Sequence, residues 1–321
     1  MNRRGRGTVL KRPLPRRSYL LVEKENVQQM AIVVQQVVNG LALGCVYGLI
    51  ALGYSFIWNA VELVNLAQGS FVMVGAFIFG VTLTNMLKFP FIVSFVLLVM
   101  IMALFGIACE RLFYRPLKNA HIRTVLVSLV ALGMLLGNLS LIIWGPYPQA
   151  TQGPFGQRLL TVGSVSVPYQ NLFIIVVAVV LLAVQTVLFK RTTLGKVLRA
   201  VAQDKATASL MGIESDLAIS LTFAYSSILG GIAGMLIAPL FVVETGLAAM
   251  GFKGFGACVV GSFGNIFGAF AGGVLLGVCE ILGASYVSSL YKEAIVYLII
   301  IGFLLFRPEG LFGKRREQSG L

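Results

Sequence analysis

The chain has 321 residues, of which 58% are hydrophobic and only 12% charged, and its mean hydropathy is +0.90. An average soluble domain carries roughly 25% charged residues, so this chain has too little charge to cover a water-exposed surface. The formal net charge of +13 does not indicate nucleic-acid binding, because the basic residues sit at the chain ends and in short loops between apolar runs. That distribution is typical of a membrane protein.

The first 29 residues differ from the rest of the chain. They hold eight Lys and Arg residues against two acidic ones, Glu23 and Glu25. No apolar run lies within this stretch, so it is not itself a signal peptide. Its composition predicts a disordered basic tail, with a transmembrane domain over residues 30–313 and a short cytoplasmic tail over 314–321.

Long apolar segments follow the tail, and most reach the roughly 20 residues that a membrane-spanning helix needs. The segment 248–264 is short and rich in glycine, which predicts a broken or re-entrant helix whose backbone must be covered by protein or by a water-filled cavity. The chain is therefore expected to be an all-α, polytopic membrane protein with about eight to ten transmembrane or re-entrant helices. The predicted segments are 37–58, 66–87, 91–109, 122–144, 171–189, 217–241, 248–264, 266–284 and 290–306.

Basic residues predict the orientation. The loops 110–123 and 190–216 and the C-terminal tail hold thirteen of the seventeen Lys and Arg residues after position 29, which predicts that all three are cytoplasmic. The other four, in loops elsewhere, are Lys88, Arg158, Lys253 and Lys292. The same count of crossings puts the basic N-terminus outside. Three explanations stay open: Met30 is the true start, one crossing is missing from the count, or the tail is exported despite its charge.

The loop 190–216 is the most informative stretch. Between Gly195 and Gly212 it contains neither glycine nor proline and is rich in Ala, Leu and Lys, which favours a helix. It is too polar to span a membrane. Such a helix either docks on a soluble partner or lies on anionic lipid.

Four motifs in chain order carry a family resemblance. The loop supplies Gly195, Arg199, Ala200, Gln203, Asp204, Ala208 and Gly212-Ile213, and the other motifs are Asn65–Gly69, Val260–Ala269 and Arg307–Gly313. Together they resemble ABC importer permeases of the branched-chain amino acid type, and most closely the LivH-type permease. The chain departs from the family pattern at Ser262, where a second glycine is usual.

The resemblance implies a type II-like ABC importer permease in a bacterial or archaeal cytoplasmic (inner) membrane. It implies partners: a second permease that is LivM-like or another copy, two ATPase subunits and an extracytoplasmic solute-binding protein. The loop residues would couple the permease to the ATPases. No Gly-x-x-x-x-Gly-Lys-Ser/Thr motif is present, so ATP would be bound by the partners, and neither a cofactor, a metal nor enzymatic activity is expected of this chain. Branched-chain amino acids are the expected solutes, with urea or short amides as the alternative.

Small and polar residues on the apolar helices are candidates for the solute path. They are Asn39, Tyr47, Asn65, Gln68 and Gly69. Asn65 and Gln68 have a second interpretation, in which they satisfy the backbone of a helix broken between 58 and 69. Glu280 lies inside an apolar run, where an ion-coupled secondary carrier would need a carboxylate; alternatively, it is hydrogen-bonded to a neighbouring helix.

Overall fold

A computed structural model describes residues 16–156, 158–163, 165–203, 205–307 and 309–313. Helices dominate this part of the chain, joined by short turns and one β-hairpin. The α-helices are α1 (Arg16–Val61), α2 (Gln68–Ala76), α3 (Phe91–Cys109), α4 (Ile122–Trp144), α5 (Tyr169–Arg191), α6 (Thr193–Gln203), α7 (Lys205–Leu210), α8 (Ser215–Ile237), α9 (Met250–Gly261), α10 (Ile266–Tyr286) and α11 (Lys292–Phe306).

Shorter elements extend or connect these helices. A π-helix, Phe77–Met86, continues α2, and a second one, Glu110–Tyr114, continues α3. The 3-10 turns are Arg115–Leu117, Thr245–Ala249 and Ser289–Tyr291. The hairpin between α4 and α5 pairs β1 (Leu159–Val162) with β2 (Val165–Pro168) in antiparallel register, Leu159 opposite Pro168.

In the described residues, eight helical segments are long and apolar enough to cross a membrane. A ninth, Thr245–Gly261, is shorter, as the glycine content of 248–264 predicts. The predicted all-α polytopic architecture is confirmed, and most boundaries agree within a few residues. The length of an apolar run predicts a membrane-spanning helix well, because the backbone in a bilayer must satisfy its hydrogen bonds within the segment.

The N-terminal tail is where the structure departs from the prediction. Helix α1 begins at Arg16, so residues 16–29, expected to be disordered, are helical in backbone. They contain no glycine or proline and include two each of Leu, Glu, Gln and Arg, which are good helix formers, and they extend a helix that is already nucleated. Residues 1–15 and 314–321 of the predicted tails lie outside the described residues.

Helices α1, α2 and α8 form the centre of the protein. In the most apolar window of each span, 94% of α1 and 83% of α8 is buried, against 22% for α3 and 11% for the segment that contains α11. Glycines allow close packing against α10: a Cβ on Gly44 would lie 2.7 Å from the Cα of Val274. Small residues of this kind let membrane helices approach without a hydrophobic force between them. The outer helices α3, α4, α5 and α11 keep many large apolar side chains exposed, which suits contact with lipid or with another membrane subunit.

Candidate functional site

The chain breaks between α1 and α2, and Asn65 organises the break. Its Oδ1 accepts a hydrogen bond from the backbone N–H of Ala67 at 3.2 Å, and its carbonyl accepts from the N–H of Gln68 at 3.0 Å. Asn65 is fully buried. A buried backbone donor without a partner is costly, so the asparagine compensates for the interrupted helix. This confirms, for Asn65, the interpretation that it satisfies the backbone of a broken helix.

Gln68 fastens the start of α2 to the centre of α8. Its Nε2 donates to the carbonyl of Ser226 at 3.1 Å, and its Oε1 lies 2.9 Å from the Ser226 hydroxyl. That hydroxyl is also 3.0 Å from the carbonyl of Gly53 in α1. Both ends of the buried Gln68 amide are therefore used inside the protein. Ser226 is the middle residue of α8, so α2 begins near the middle of the membrane.

A second break, before α9, lies next to the first. The Tyr54 hydroxyl donates to the carbonyl of Gly251 at 3.2 Å. A Cβ on Gly69 would lie 2.9 Å from the Cα of Gly251 and would overlap the carbonyl oxygen of Ala248. The first turns of α2 and α9 thus lie side by side, and we call this contact the crossing. Both Gly69 and Gly251 need to be glycine there, because a Cβ on either would overlap backbone atoms of the other helix.

A cavity of about 470 Å³ opens at this crossing. Two of its walls are the first turns of α2 and α9, and the facing wall is α4. The Ser70 hydroxyl donates to the carbonyl of Gly133 at 3.3 Å, so this polar side chain is engaged. The remaining walls are largely apolar. The lining residues are Tyr54, Leu66, Gly69, Ser70, Val130, Gly133, Met134, Thr245, Gly246, Ala248, Ala249, Gly251, Phe252 and Phe255.

Val130 and Met134 of α4 and Phe252 of α9 give the cavity much of its apolar surface. Of the five predicted path residues, the structure brings Asn65, Gln68 and Gly69 together at the crossing, and Gly69 lines the cavity.

The predicted coupling loop folds as two helices, α6 and α7. Leu198, Val201 and Ala208 form a small apolar core with Phe56 and with α8. Gly195 packs so tightly on the end of α5 that a Cβ there would lie 2.6 Å from the carbonyl of Leu188. The element is therefore attached to the ends of α1, α5 and α8 that the basic residues predict to be cytoplasmic.

The outer face of this element is exposed. Arg199 and Gln203 are exposed, and Leu210 and Met211 are 88% and 79% exposed. The Arg199 Nε donates to the carbonyl of Gly195 at 3.1 Å, and Ala200 packs at the edge of the small core. Gly212 has φ +82°, a left-handed conformation that ends α7 and favours glycine. Asp204 lies outside the described residues.

The motifs Val260–Ala269 and Arg307–Gly313 contact each other on the side of the protein where α6 and α7 lie. The backbone N–H of Leu311 donates to the carbonyl of Val260 at 2.8 Å, and that of Phe312 to the carbonyl of Gly261 at 3.1 Å. Arg199 and Lys190 line a cleft with the turn after α9 and with Phe312. The segment 238–261 therefore forms an interrupted membrane span, made of a 3-10 turn and the short helix α9. It ends beside α6 and α7.

Comparison with known proteins agrees with this architecture. Residues 36–304 match the family model described as branched-chain amino acid transport system / permease component. This chain belongs to that family. The permease is thus a multi-pass membrane protein of a transport system and not an enzyme.

Individual relatives extend over nearly the whole permease. It is 31% identical to the high-affinity branched-chain amino acid transport system permease protein BraD of Pseudomonas aeruginosa, over 89% of this chain and 97% of the relative. It is 29% identical to LivH of Escherichia coli K12, over 91% and 99%. A solved structure, PsaBC from Streptococcus pneumoniae in complex with Fab, has 16% identity and a TM-score of 0.46 over 89% of this chain and 94% of that chain; a likeness at this level adds nothing to the assignment.

The remaining predicted path residues of the permease lie elsewhere on α1. Asn39 accepts a hydrogen bond from Asn171 Nδ2 at 2.7 Å, between α1 and α5. The buried Tyr47 hydroxyl donates to Glu280 Oε2 at 2.9 Å. Neither Asn39 nor Tyr47 lines the cavity at the crossing. The interpretation of Glu280 as a carboxylate hydrogen-bonded to a neighbouring helix is confirmed.

Sequence reasoning missed the partner of Glu280. Lys253, taken as a loop residue, lies in α9 and is buried, and its Nζ is 2.7 Å from Glu280 Oε1. Glu293 lies 3.7 Å from the same Nζ. The available signal was the position of Lys253 inside the apolar segment 248–264, because an ionised side chain at membrane depth requires an opposite charge.

Proposed function

We propose that this chain is a membrane subunit of an ATP-driven importer for branched-chain amino acids, acting as a LivH-type permease. Its partners would be a second permease, either LivM-like or another copy, two ATPase subunits that bind the ATP, and a solute-binding protein on the outer side. Family membership and the names of the relatives support the substrate class.

The coupling role rests on one observation: α6 and α7 are packed on the membrane helices on one side and exposed on the other. One side is anchored by Leu198, Val201 and Ala208. The other presents Leu210 and Met211, almost fully exposed, to the cytoplasm. Large apolar side chains exposed together on a polar surface are typical of a protein interaction site. An ATPase bound there would move the ends of α1, α5 and α8 directly.

The first experiment tests assembly. Tagged permease is co-purified with its subunits in mild detergent as wild type, Leu210→Asp with Met211→Asp, and Leu290→Asp. Leu290 is a matched control because it is 82% exposed but follows α10 at the opposite end of the protein. We expect the ATPases to be lost at least about tenfold in the double variant, since a buried charge without a partner costs several kcal/mol. Retention of the ATPases by that variant would contradict the coupling role.

The second experiment tests the path. Met134→Trp adds bulk to the wall of the cavity at the crossing, whereas Val127→Trp makes the same change two turns earlier on α4, at a residue of similar exposure that does not line the cavity. We expect the importer with Met134→Trp to assemble and to lose most leucine uptake in liposomes, and Val127→Trp to transport normally. If the wild-type importer takes up urea and not leucine, the substrate would be urea or a short amide and not a branched-chain amino acid.

A further inference from the structure

Two adjoining cavities lie between α3 and α8, and residues of α1, α5 and α6 also line the first of them. One is an almost purely apolar cavity of about 290 Å³, and the other is a polar cavity of about 560 Å³ at the cytoplasmic edge. Ile107 of α3 and Leu221 of α8 line both of them. The two cavities therefore adjoin, and together they give a groove that is apolar at one end and charged at the other.

The apolar end has the depth of one membrane leaflet. Along α8 its wall runs from Ala218 to Ile228. Ten residues of α-helix rise about 15 Å, which is half of the roughly 30 Å hydrocarbon core. Thr222 leaves this wall apolar, because its hydroxyl donates to the carbonyl of Ala218 in its own helix at 2.8 Å. The small side chain of Ala103 on α3 keeps the space open.

The charged end holds three basic side chains and two acidic ones at the predicted cytoplasmic boundary, namely Arg111, Arg115, Lys118, Glu214 and Asp216. Lys118 and Arg115 lie 2.6 and 3.5 Å from Asp216. Arg111 is exposed and, among the described residues, forms no ion pair. A guanidinium in this position can bind phosphate oxygens through two parallel hydrogen bonds. Basic pockets between membrane helices on the cytoplasmic side favour anionic lipid headgroups.

We propose that this groove binds one anionic phospholipid of the cytoplasmic leaflet. An acyl chain occupies the apolar cavity, and the phosphate lies against Arg111, flanked by Arg115 and Lys118. A free solute does not match a groove that is charged at the membrane surface and apolar to the depth of a leaflet. Val197 and Leu198 of the coupling helix α6 also line the apolar cavity, so the lipid contacts the element described above. The lipid site itself does not depend on the proposed transport function.

The test measures phospholipid retained by the full chain in its purified complex. Delipidated complex is incubated with dioleoylphosphatidylglycerol, and bound lipid is counted by native mass spectrometry. Arg111→Gln removes the phosphate contact and Ala103→Phe fills the apolar cavity. The matched controls are Arg123→Gln, from the same cytoplasmic region, and Val127→Phe, on the bilayer face of α4; neither residue lines the groove.

We expect retained lipid to fall about fivefold in Arg111→Gln, the effect of one basic contact at a membrane surface, and further in Ala103→Phe, while both controls match wild type. Inorganic phosphate added instead of lipid is expected not to protect the complex against thermal unfolding. Retention equal to wild type in both groove variants, equal loss in the controls, or protection by phosphate alone would overturn the proposal.

Discussion

The crossing of α2 and α9 and the coupling element α6–α7 use polar residues in opposite ways. At the crossing, the side chains of Asn65 and Gln68 are buried and bonded within the protein. In the coupling element, Arg199 and Gln203 are exposed and the largest apolar side chains point away from the protein. Polar residues at the crossing therefore have their partners within the chain, whereas the exposed surface of α6–α7 is the one for which we propose a partner protein.

The largest expected effect is on the buried ion pair beside the crossing. Lys253→Met leaves Glu280 buried without its charged partner, and loss of one member of such a pair typically costs about 3–5 kcal/mol. We expect a marked loss of thermal stability of the purified protein, measured by size-exclusion chromatography after heating. Lys292→Met is the control, since Lys292 forms no ion pair with Glu280 in the part of the chain that the structure describes.

A double change sharpens this prediction. Lys253→Met combined with Glu280→Gln removes both charges while leaving an acceptor for the Tyr47 hydroxyl. We expect stability to recover in part, because an uncharged pair no longer needs compensation. No recovery would mean that the lysine acts through packing rather than through charge.

A smaller effect is expected where α2 and α9 touch. Gly69→Leu forces a side chain into the backbone of Ala248 and Gly251, and overpacking of this kind costs about 1–3 kcal/mol. Gly137→Leu on α4 is the matched control, because a Cβ there meets no atom within 4 Å. Thermal stability should fall only in the first variant. Equal behaviour of the two would mean that the helices separate easily at the crossing.

The smallest effect is expected at the cytoplasmic edge. Lys118 and Asp216 are 26% and 35% exposed, so their 2.6 Å ion pair is screened by water and salt. Lys118→Met should cost less than about 1 kcal/mol, and the difference from wild type should shrink further in high salt. A loss of stability as large as that of Lys253→Met would contradict the expectation that the exposed Lys118–Asp216 pair contributes less than the buried Lys253–Glu280 pair.

The helical spans could be predicted from the sequence because a long apolar run is stable in a bilayer as a helix. The ion pair between Lys253 and Glu280 could not be predicted, since these residues are 27 positions apart and meet only through the packing of α9 on α10. Similarly, Gln68 was assigned to the path, or to the backbone of the break, on its residue type. Its contact with Ser226 depends on a helix more than 150 residues away.

On helix α1, the cavity at the crossing and the apolar core beneath α6 and α7 lie within one helical turn of each other. Tyr54 lines the cavity at the crossing, and Phe56 belongs to the core beneath α6 and α7. Two residues of α-helix span about 3 Å along its axis, with no loop or glycine between these positions. In the proposed transport cycle, a displacement of Phe56 by a bound ATPase would therefore move Tyr54 and the cavity wall by nearly the same distance, because no flexible segment lies between them.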